Sequence, residues 1–491
     1  MRTLVLIDGE HYPPVVRAAI ESLPERIPGA VVVGAALLGG GEKLAAGLPS
    51  DLGLDVPVVR GAGPEGQRIQ EALAAGMARF APELIVDMSD EPVVDARQRM
   101  GLAARALVAG IPYVGADFRF DPPPRPRLAT KPSVAVIGTG KRTGKTAVSA
   151  SLARLLAARG TPPMVVAMGR GGPAEPEVVD PSTFDLSAAG LLALAASGRH
   201  AASDHLEDAL VAGVATVGTR RCGGGLAGAP LASTFAAGVA KANGRSESLL
   251  VFEGSGASVP PAHADATICV MPATVDPELV TGYLGPYRVL LSDLIVVTMG
   301  EPSIAVMGAG APTGTRSARS GSAFLEESVR KLVPGVRVVH TVFRPFPLEP
   351  ISGRRVFYVT TAPASASEVL VDHLEQQHGC TIVGISHHLA RRPELAADLG
   401  AAPAADILLV ELKAAAVDLA AKTALERGME IVFCDNRVVS VGGDGTFDDL
   451  ALSTADLAVE RYSSWKSTTG RTRSIRTQSG RTQSGRTQAR S

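Results

Sequence analysis

The residues best suited to chemistry lie in one Gly-rich segment, GTGKRTGKT, at residues 138–146. The segment follows an apolar run, SVAVIG, and precedes an amphipathic stretch, so the pattern predicts a strand, a tight turn and a helix. Glycine lets backbone N–H groups close around phosphate oxygens, and the N-terminus of a helix adds positive potential. Lys145 is expected to reach the β- and γ-phosphates of a nucleotide, and Thr146 to offer its hydroxyl to Mg²⁺.

One position of this loop departs from the usual GxxxxGK[ST] spacing. That spacing requires a glycine at 139, where this chain has a threonine. A chance Gly-rich turn is the alternative, but strand, GKT and helix follow in the order that phosphate binding needs. We therefore predict that ATP is held by Gly138, Thr139, Gly140, Lys141, Arg142, Thr143, Gly144, Lys145 and Thr146.

The string GTGKRTGKT resembles the variant phosphate loop of dethiobiotin-synthetase-like ATPases. That resemblance implies Mg²⁺ carboxylates at Asp204, in the S-D step of HAASDHLEDAL, and at Glu253, which ends the run SLLVFE. With the hydroxyl of Thr146 they form a hard-oxygen shell that phosphates and water complete. Asp204 has an alternative role as a helix N-cap. Glu253 is harder to explain structurally, because a carboxylate directly after a buried strand needs a cation as a partner.

Three arginines lie near short runs of glycine. Arg170, in MGRGGP, corresponds by the same resemblance to a cation that faces the substrate. Arg220 and Arg221 precede three glycines in TRRCGGGLAGAP, and guanidinium groups suit bidentate capture of phosphate or carboxylate. Exposed charged turns are the alternative. Together with the cations of the phosphate loop, these arginines predict a catalytic site for a substrate that carries several negative charges besides ATP.

Composition and charge exclude several classes of function. The net charge is −1, but the segment after Glu460 has eight Lys or Arg residues and no acid, so the first 460 residues carry −9. An acidic body with only 19 aromatic residues disfavours nucleic acid as a partner. No apolar run reaches the roughly 18 residues that span a bilayer. With four widely spaced cysteines, we expect a reduced, cytoplasmic protein that binds no membrane.

The apolar runs predict an α/β protein of several domains. At about 100–200 residues per domain, 491 residues give two to four. Runs such as TLVLI and ELIVDM alternate with helical stretches over residues 1–122, which predicts a Rossmann-like parallel sheet. A Pro-rich linker follows at 123–132, then a phosphate-loop ATPase domain at 133–334. A further α/β region covers 335–460, either a third domain or the far half of the same sheet, and a basic tail at 461–491 is expected to be disordered.

In the N-terminal domain, acids and cations follow predicted strands, where α/β sheets bind ligands. They either complete the active site, bind a regulator, or only cap loops and form surface ion pairs. These residues are Asp8, Glu10, His11, Asp90, Glu91 and Arg97.

Taken together, the motifs resemble the cyclic 2,3-diphosphoglycerate synthetase family. The matching strings are LIDGEHYPPVV, ALLGGGEKL, VDMSDEPVVDARQR, GTGKRTGKTAVSA, VVAMGRGGPAEPE, HAASDHLEDAL, RRCGGGLAGAP and FEGSGA, from residue 4 to roughly 460. The resemblance implies an ATP-dependent ligase that closes 2,3-diphosphoglycerate into a cyclic pyrophosphate and releases ADP and phosphate. It also implies a homodimer.

Three alternatives remain at this point. A kinase that converts 2-phosphoglycerate to 2,3-diphosphoglycerate would use similar parts. A ligase that activates a carboxylate is a second possibility within the wider ATPase group. A nucleotide-switched regulatory ATPase is the third, but such proteins usually carry a lysine where this chain has Thr139.

Overall fold

In the part of the chain that the structure describes, the strands form two β-sheets, one of six strands and one of thirteen. The computed structural model describes residues 1–41, 49–63, 65–199, 203–301, 318–413 and 416–481. Within these ranges, no helix combines the length and apolar character that crossing a membrane requires. The mixed α/β class predicted from the alternating apolar runs is confirmed.

The N-terminal sheet has the strand order β3-β2-β1-β4-β5-β6 and is parallel except for its last strand. Its central strand is buried beyond the first residue because helices cover both faces, as parallel sheets require. The strands are β1 Arg2–Ile7, β2 Val31–Leu37, β3 Val58–Arg60, β4 Leu84–Asp87, β5 Tyr113–Val114 and β6 Arg119–Phe120. The helices are α1 Pro13–Arg26, α2 Glu65–Phe80 and α3 Ala96–Val108.

The phosphate-loop domain begins the larger sheet. Its strands are β7 Ser133–Gly138, β8 Met164–Gly169, β9 Glu177–Val179, β10 Thr216–Cys222, β11 Ala232–Ser233, β12 Leu250–Glu253, β13 Ala266–Pro272 and β14 Leu294–Thr298. Its helices are α4 Lys145–Ala158, α5 Ala188–Ala196, α6 Asp204–Ala212, α7 Phe235–Asn243, α8 Pro277–Thr281, α9 Pro286–Leu290 and α10 Ala318–Leu332. The parallel order β10-β8-β12-β7-β13-β14 brings the carboxyl ends of the motif-bearing strands to one edge.

The strands of the C-terminal region continue this sheet. The first strand of this region, Arg337–Pro347, pairs in parallel with β14. It also pairs antiparallel with the last strand of the region, Glu430–Gly443. The strands are β15 Arg337–Pro347, β16 Arg355–Val359, β17 Thr381–Ser386, β18 Ile407–Glu411 and β19 Glu430–Gly443. The helical segments are a 3₁₀ turn Ala364–Ala366, α11 Ser367–His378, α12 Arg392–Ala401, a π-helical segment Ala416–Ala420, α13 Ala421–Glu426 and α14 Phe447–Arg481.

The N-terminal and phosphate-loop domains share one hydrophobic core. Leu102 and Leu107 of α3 belong to the same buried cluster as Tyr287 and Val289 of α9. The Pro-rich linker between the domains is also fixed, because Leu128 accepts a hydrogen bond from Asn243 (2.9 Å). The two domains are therefore packed against each other directly.

The last helix corrects one expectation about the tail. The sequence predicts disorder from residue 461, but α14 continues through Arg481, and residues 482–491 lie outside the described residues. Tyr462 is buried and its hydroxyl donates to the carbonyl of Thr130, while the Trp465 ring lies 4.4 Å from the Arg127 guanidinium. The packed part of the chain thus extends at least to Trp465, because Tyr462 and Trp465 contact the rest of the protein. The Arg/Ser/Thr-rich composition of the tail gave no indication of these contacts.

Candidate active site

The phosphate loop occupies the turn between β7 and α4, as predicted. Gly144 ends it with φ +92°, in the left-handed region, and a Cβ there would overlap the ring of Phe343. A side chain at Gly138 would approach the Thr143 hydroxyl to 2.8 Å. Gly144 is therefore required both for its backbone conformation and because a side chain would not fit. Gly138 is required because a side chain would not fit.

Lys145 lies inside this loop. Its ammonium donates to the carbonyl of Gly140 (2.7 Å) and to the hydroxyl of Thr143 (3.3 Å). Burial lowers the pKa of Lys145 to about 8, although the nearby carboxylates Glu253 and Asp204 favour its charged form. The cation is thus held where phosphate oxygens would enter the loop.

Hydrogen bonds from neighbouring strands stabilise the loop. The Thr298 hydroxyl donates to the carbonyl of Thr143 (2.8 Å), and the backbone N–H of Thr139 donates to the carbonyl of Val270 (3.2 Å). The Thr139 hydroxyl is buried and has no hydrogen-bond partner in the described part of the chain. Lys141 and Arg142 are exposed.

Thr146 and Glu253 meet beside the loop. The Thr146 hydroxyl donates to Glu253 Oε1 (2.8 Å), and Glu253 is 2% exposed at the end of β12. Besides Thr146, only the Asp208 carboxyl, when it carries a proton, hydrogen-bonds Glu253 among the described residues, and burial raises the pKa of Glu253. A buried carboxylate next to a hydroxyl suits a divalent cation.

Asp204 is the first residue of α6, after the N-cap Ser203. The alternative role of Asp204 as N-cap is therefore wrong. A Cβ at Gly169, the end of β8, would lie 3.6 Å from its carboxylate, and its charge acts on both Lys145 and Glu253. Asp204 consequently faces the same edge of the sheet as the phosphate loop.

Sequence reasoning missed a third carboxylate, Asp208. It lies one turn after Asp204 in α6, is fully buried, and forms a side-chain hydrogen bond with Glu253 when it carries a proton; no N–H or O–H group of the other described residues donates to it. Burial, followed by contact with Glu253, raises the pKa of Asp208 well above its usual value. The signal was available as the i, i+4 spacing of the two acids in SDHLEDAL.

No group of three His, Cys, Asp or Glu side chains lies close enough to hold one ion, as far as the described residues go. Magnesium bound with a nucleotide does not need such a group, since it commonly takes one or two carboxylates and completes its shell with phosphates and water. Thr146, Glu253 and Asp204 fit that pattern.

Two of the three predicted arginines converge. A Cβ at Gly256 would overlap the Arg170 guanidinium and lie 3.3 Å from Arg221 Nη2. Arg221 donates to the carbonyls of Gly223 (2.6 Å) and Ser255 (2.7 Å), and its Nε has no hydrogen-bond partner within the described chain. Burial, and then the neighbouring charge of Arg170, lower the pKa of Arg221. Two like charges at this separation favour an anion between or beside them.

Arg220 is placed differently. Arg220 and Arg221 both lie on strand β10, and not in the exposed turn that was the alternative. Because successive side chains of a strand point to opposite faces, Arg220 points away from the face of Arg221, and it is exposed.

The N-terminal candidates mainly close loops and join domains. The Asp8 carboxylate accepts hydrogen bonds from the backbone N–H groups of His11 (3.1 Å) and Asp90 (2.6 Å). Arg97 pairs with Glu278 of the phosphate-loop domain (2.7 Å). These contacts correspond to the loop-capping and ion-pair interpretation.

Three domain families match successive parts of the chain. They are the N-terminal domain (residues 2–121), the P-loop domain (133–309) and the C-terminal domain (347–437) of cyclic 2,3-diphosphoglycerate synthetase. The curated relatives cover nearly the whole chain. The cyclic 2,3-diphosphoglycerate synthetase of Rubrobacter xylanophilus is 46% identical over 92% of this chain and 97% of that protein. The enzymes of the same name from Methanothermus fervidus and Methanothermobacter thermautotrophicus are 38% and 40% identical, each over 94% of this chain and 98% of the relative. With three matching domains in the same order and this coverage, the chain belongs to the cyclic 2,3-diphosphoglycerate synthetase family.

Proposed function

We propose that this chain uses ATP to close 2,3-diphosphoglycerate into cyclic 2,3-diphosphoglycerate, releasing ADP and phosphate. The observation that supports this function best is the position of the paired guanidiniums of Arg170 and Arg221. Arg170 directly follows β8, and Arg221 is the next-to-last residue of β10. This sheet edge also carries the phosphate loop after β7 and Glu253 at the end of β12. A nucleotide phosphate and a second polyanion can therefore be held side by side.

The reaction needs two phosphoryl steps. First, an oxygen of one substrate phosphate attacks the γ-phosphorus of ATP, the bond to the β-phosphate breaks, and ADP leaves. An oxygen of the other substrate phosphate then attacks the inner phosphorus of this new pyrophosphate, closes the ring and expels inorganic phosphate. No protein nucleophile takes part, so catalysis is largely positioning and charge stabilisation.

The residues divide these tasks. Lys145 and the loop N–H groups from Gly138 to Thr146 would hold the β- and γ-phosphates, and Lys145 would stabilise the negative charge that develops on them. Arg170 and Arg221 would hold the two substrate phosphates together against their mutual repulsion. Arg220, Lys141 and Arg142 are exposed and would add positive potential at the rim of the site.

Magnesium is part of this proposal. Thr146, Asp204 and Glu253 would hold the ion, and the burial of the Glu253 carboxyl beside the Thr146 hydroxyl supports their fitness for it. Bound there, Mg²⁺ supplies charge neutralisation to the transferred phosphoryl group. We also propose a homodimer in the cytoplasm, following the family resemblance; sedimentation of the purified protein tests the dimer.

Phosphorus NMR of the purified protein with MgATP and 2,3-diphosphoglycerate tests the function. New coupled pyrophosphate resonances together with ADP and phosphate, absent with Lys145→Ala, are the expected result. A parallel sample contains 2-phosphoglycerate in place of 2,3-diphosphoglycerate. If 2,3-diphosphoglycerate stays unchanged in the first sample and 2-phosphoglycerate gains a phosphate in the second, the protein is the kinase. ATP hydrolysis that requires neither small substrate would point to the regulatory ATPase.

A further inference from the structure

Arg288 is a buried arginine that no motif marks and that the proposed mechanism does not use. It belongs to the short helix α9 and is 6% exposed. No ion pair joins it to a carboxylate within the described residues. An unpaired buried guanidinium is unfavourable unless hydrogen bonds satisfy it, so its partners indicate its role.

The partners of Arg288 are carbonyl groups of two different loops. Its Nε and Nη2 donate to the carbonyl of Ala257 (2.9 and 2.6 Å), and its Nη1 and Nη2 approach the carbonyl of Leu226 at 3.5 Å. Ala257 follows Glu253 in the segment GSGAS, and Leu226 follows Arg221 in the segment CGGGLAGAP. One rigid, forked side chain thus connects both loops.

These same two loops carry the paired guanidiniums. Arg221 donates to Ser255 in the first loop and to Gly223 in the second, and the Arg170 guanidinium lies against Gly256. A further bond, from the N–H of Val259 to the carbonyl of Gly228 (2.9 Å), joins the loops beside Arg288. We call the hydrogen bonds from Arg288 to the carbonyls of Ala257 and Leu226 the Arg288 clamp. The spacing of the two substrate-facing arginines, Arg170 and Arg221, therefore depends on this clamp.

Gly228 shows how tightly the clamp is packed. Its φ is +91°, and a Cβ there would lie 2.8 Å from the carbonyl of Ala257 and 3.0 Å from Arg288 Nη2. The other face of α9 packs on the N-terminal domain through Tyr287 and Val289. The clamp thus rests on a helix that the N-terminal domain supports.

We propose that Arg288 is a positioning residue that fixes the Gly223–Gly228 and Gly254–Ala257 loops and thereby sets the geometry of the Arg170–Arg221 pair for the polyanionic substrate. This inference rests on the proposed function. It predicts an effect on the substrate side of the site and none on the nucleotide side, because the phosphate loop is held by Thr298 and Val270 instead.

The test compares Arg288→Lys, Arg288→Met and Gly228→Ala with the control Arg159→Met, whose exposed arginine pairs with Asp456 on the far side of α4. Binding of 2,3-diphosphoglycerate and of ATP is measured separately by calorimetry, and KM for each is measured during turnover. We expect KM and Kd for 2,3-diphosphoglycerate to rise at least tenfold in all three clamp variants, with the values for ATP within about twofold of wild type. Arg288→Lys should weaken substrate binding as much as Arg288→Met does, because lysine retains the positive charge but lacks the forked set of N–H donors that reaches both carbonyls.

Gly228→Ala keeps the test decisive if Arg288→Met does not fold, since it disturbs the same contact from the other loop. Normal substrate binding by folded Arg288→Lys and Gly228→Ala would overturn the inference, as would equal losses for substrate and ATP. Wild-type protein that binds 2,3-diphosphoglycerate without cyclising it would refute the proposed reaction but leave the binding comparison valid. Wild-type protein that does not bind it would refute both.

Discussion

Glu253 is a buried carboxylate that needs a positive charge or a proton to neutralise it. It accepts one hydrogen bond from Thr146. Asp208 is buried against it and hydrogen-bonds it when protonated, and no other group of the described residues donates to the Asp208 carboxyl. Carboxylates in such surroundings require a cation or a shared proton, because an isolated buried charge is strongly unfavourable.

We therefore expect Glu253→Gln to weaken metal binding more than nucleotide binding. The amide keeps the shape and the contact with Thr146 but removes the charge that attracts a divalent cation. Turnover should fall by roughly 100-fold or more, as for the loss of one preorganised electrostatic contact. Titration of Mn²⁺ into the ATP complex, followed by electron paramagnetic resonance, should show weaker binding than in wild type. Equal Mn²⁺ affinity in the two proteins would remove Glu253 from the metal site.

The adjacent arginines of β10 provide a matched pair of variants. Arg221→Ala removes a guanidinium from the converging pair, so KM for 2,3-diphosphoglycerate should rise roughly 10- to 100-fold, the range for a hydrogen bond to a charged group. Arg220→Ala removes the same charge from the opposite face of the strand and should change KM about twofold or less. Steady-state kinetics at fixed ionic strength separates the two. Equal effects would mean that net charge, and not geometry, recruits the substrate.

At the scale of elements, apolar runs and glycine punctuation predicted most strands and the phosphate-loop turn correctly. SVAVIG and SLLVF form β7 and β12 with nearly the expected bounds. The strand β10 was not predicted, because TRRCGGG has the composition of a loop and its pairing with β8 is a tertiary effect. Asp208 and Arg288 were missed for a similar reason. Their roles come from burial and from neighbours distant in sequence, which a local motif does not encode.

Docking of the last helix should depend on pH through His263. This histidine contacts Arg127 (2.5 Å), which in turn carries the Trp465 ring, and burial followed by the charge of Arg127 lowers the pKa of His263 to about 4. Between pH 6.5 and 4 the unfolded chain binds a proton here and the folded chain does not, so stability falls as the pH is lowered through this window. His263→Gln should reduce that slope, measured as Tm against pH. An unchanged slope would show that His263 does not contribute.

At the scale of the whole molecule, the shared core between the domains predicts cooperative unfolding. Leu102 of α3 is 1% exposed and packs in the cluster that contains Tyr287. Trp465, the one tryptophan of the chain, lies at the opposite end of the sequence and provides a fluorescence probe. If the molecule unfolds as a unit, a destabilising change in the N-terminal domain must also lower the midpoint of the unfolding transition that Trp465 fluorescence reports.

Leu102→Ala should therefore lower the midpoint of the Trp465 fluorescence transition as much as that of circular dichroism. A Leu→Ala change in a core typically costs about 2–5 kcal/mol. Leu425→Ala, at a residue 61% exposed, serves as the control and should leave both midpoints unchanged. Two separated transitions, with only the first shifted by Leu102→Ala, would show that the N-terminal domain unfolds alone.

The packing of α14 has a consequence for synthesis on the ribosome. Phe447, Leu450, Ala451 and Ala458 complete the buried cluster that covers α4, β7 and β13, although they are made some 300 residues after the phosphate loop. Domains generally fold as units, N-terminal first, during translation. Here the apolar face behind the nucleotide site stays open until α14 has been translated, so the nascent phosphate-loop domain is a predicted client of ribosome-associated chaperones.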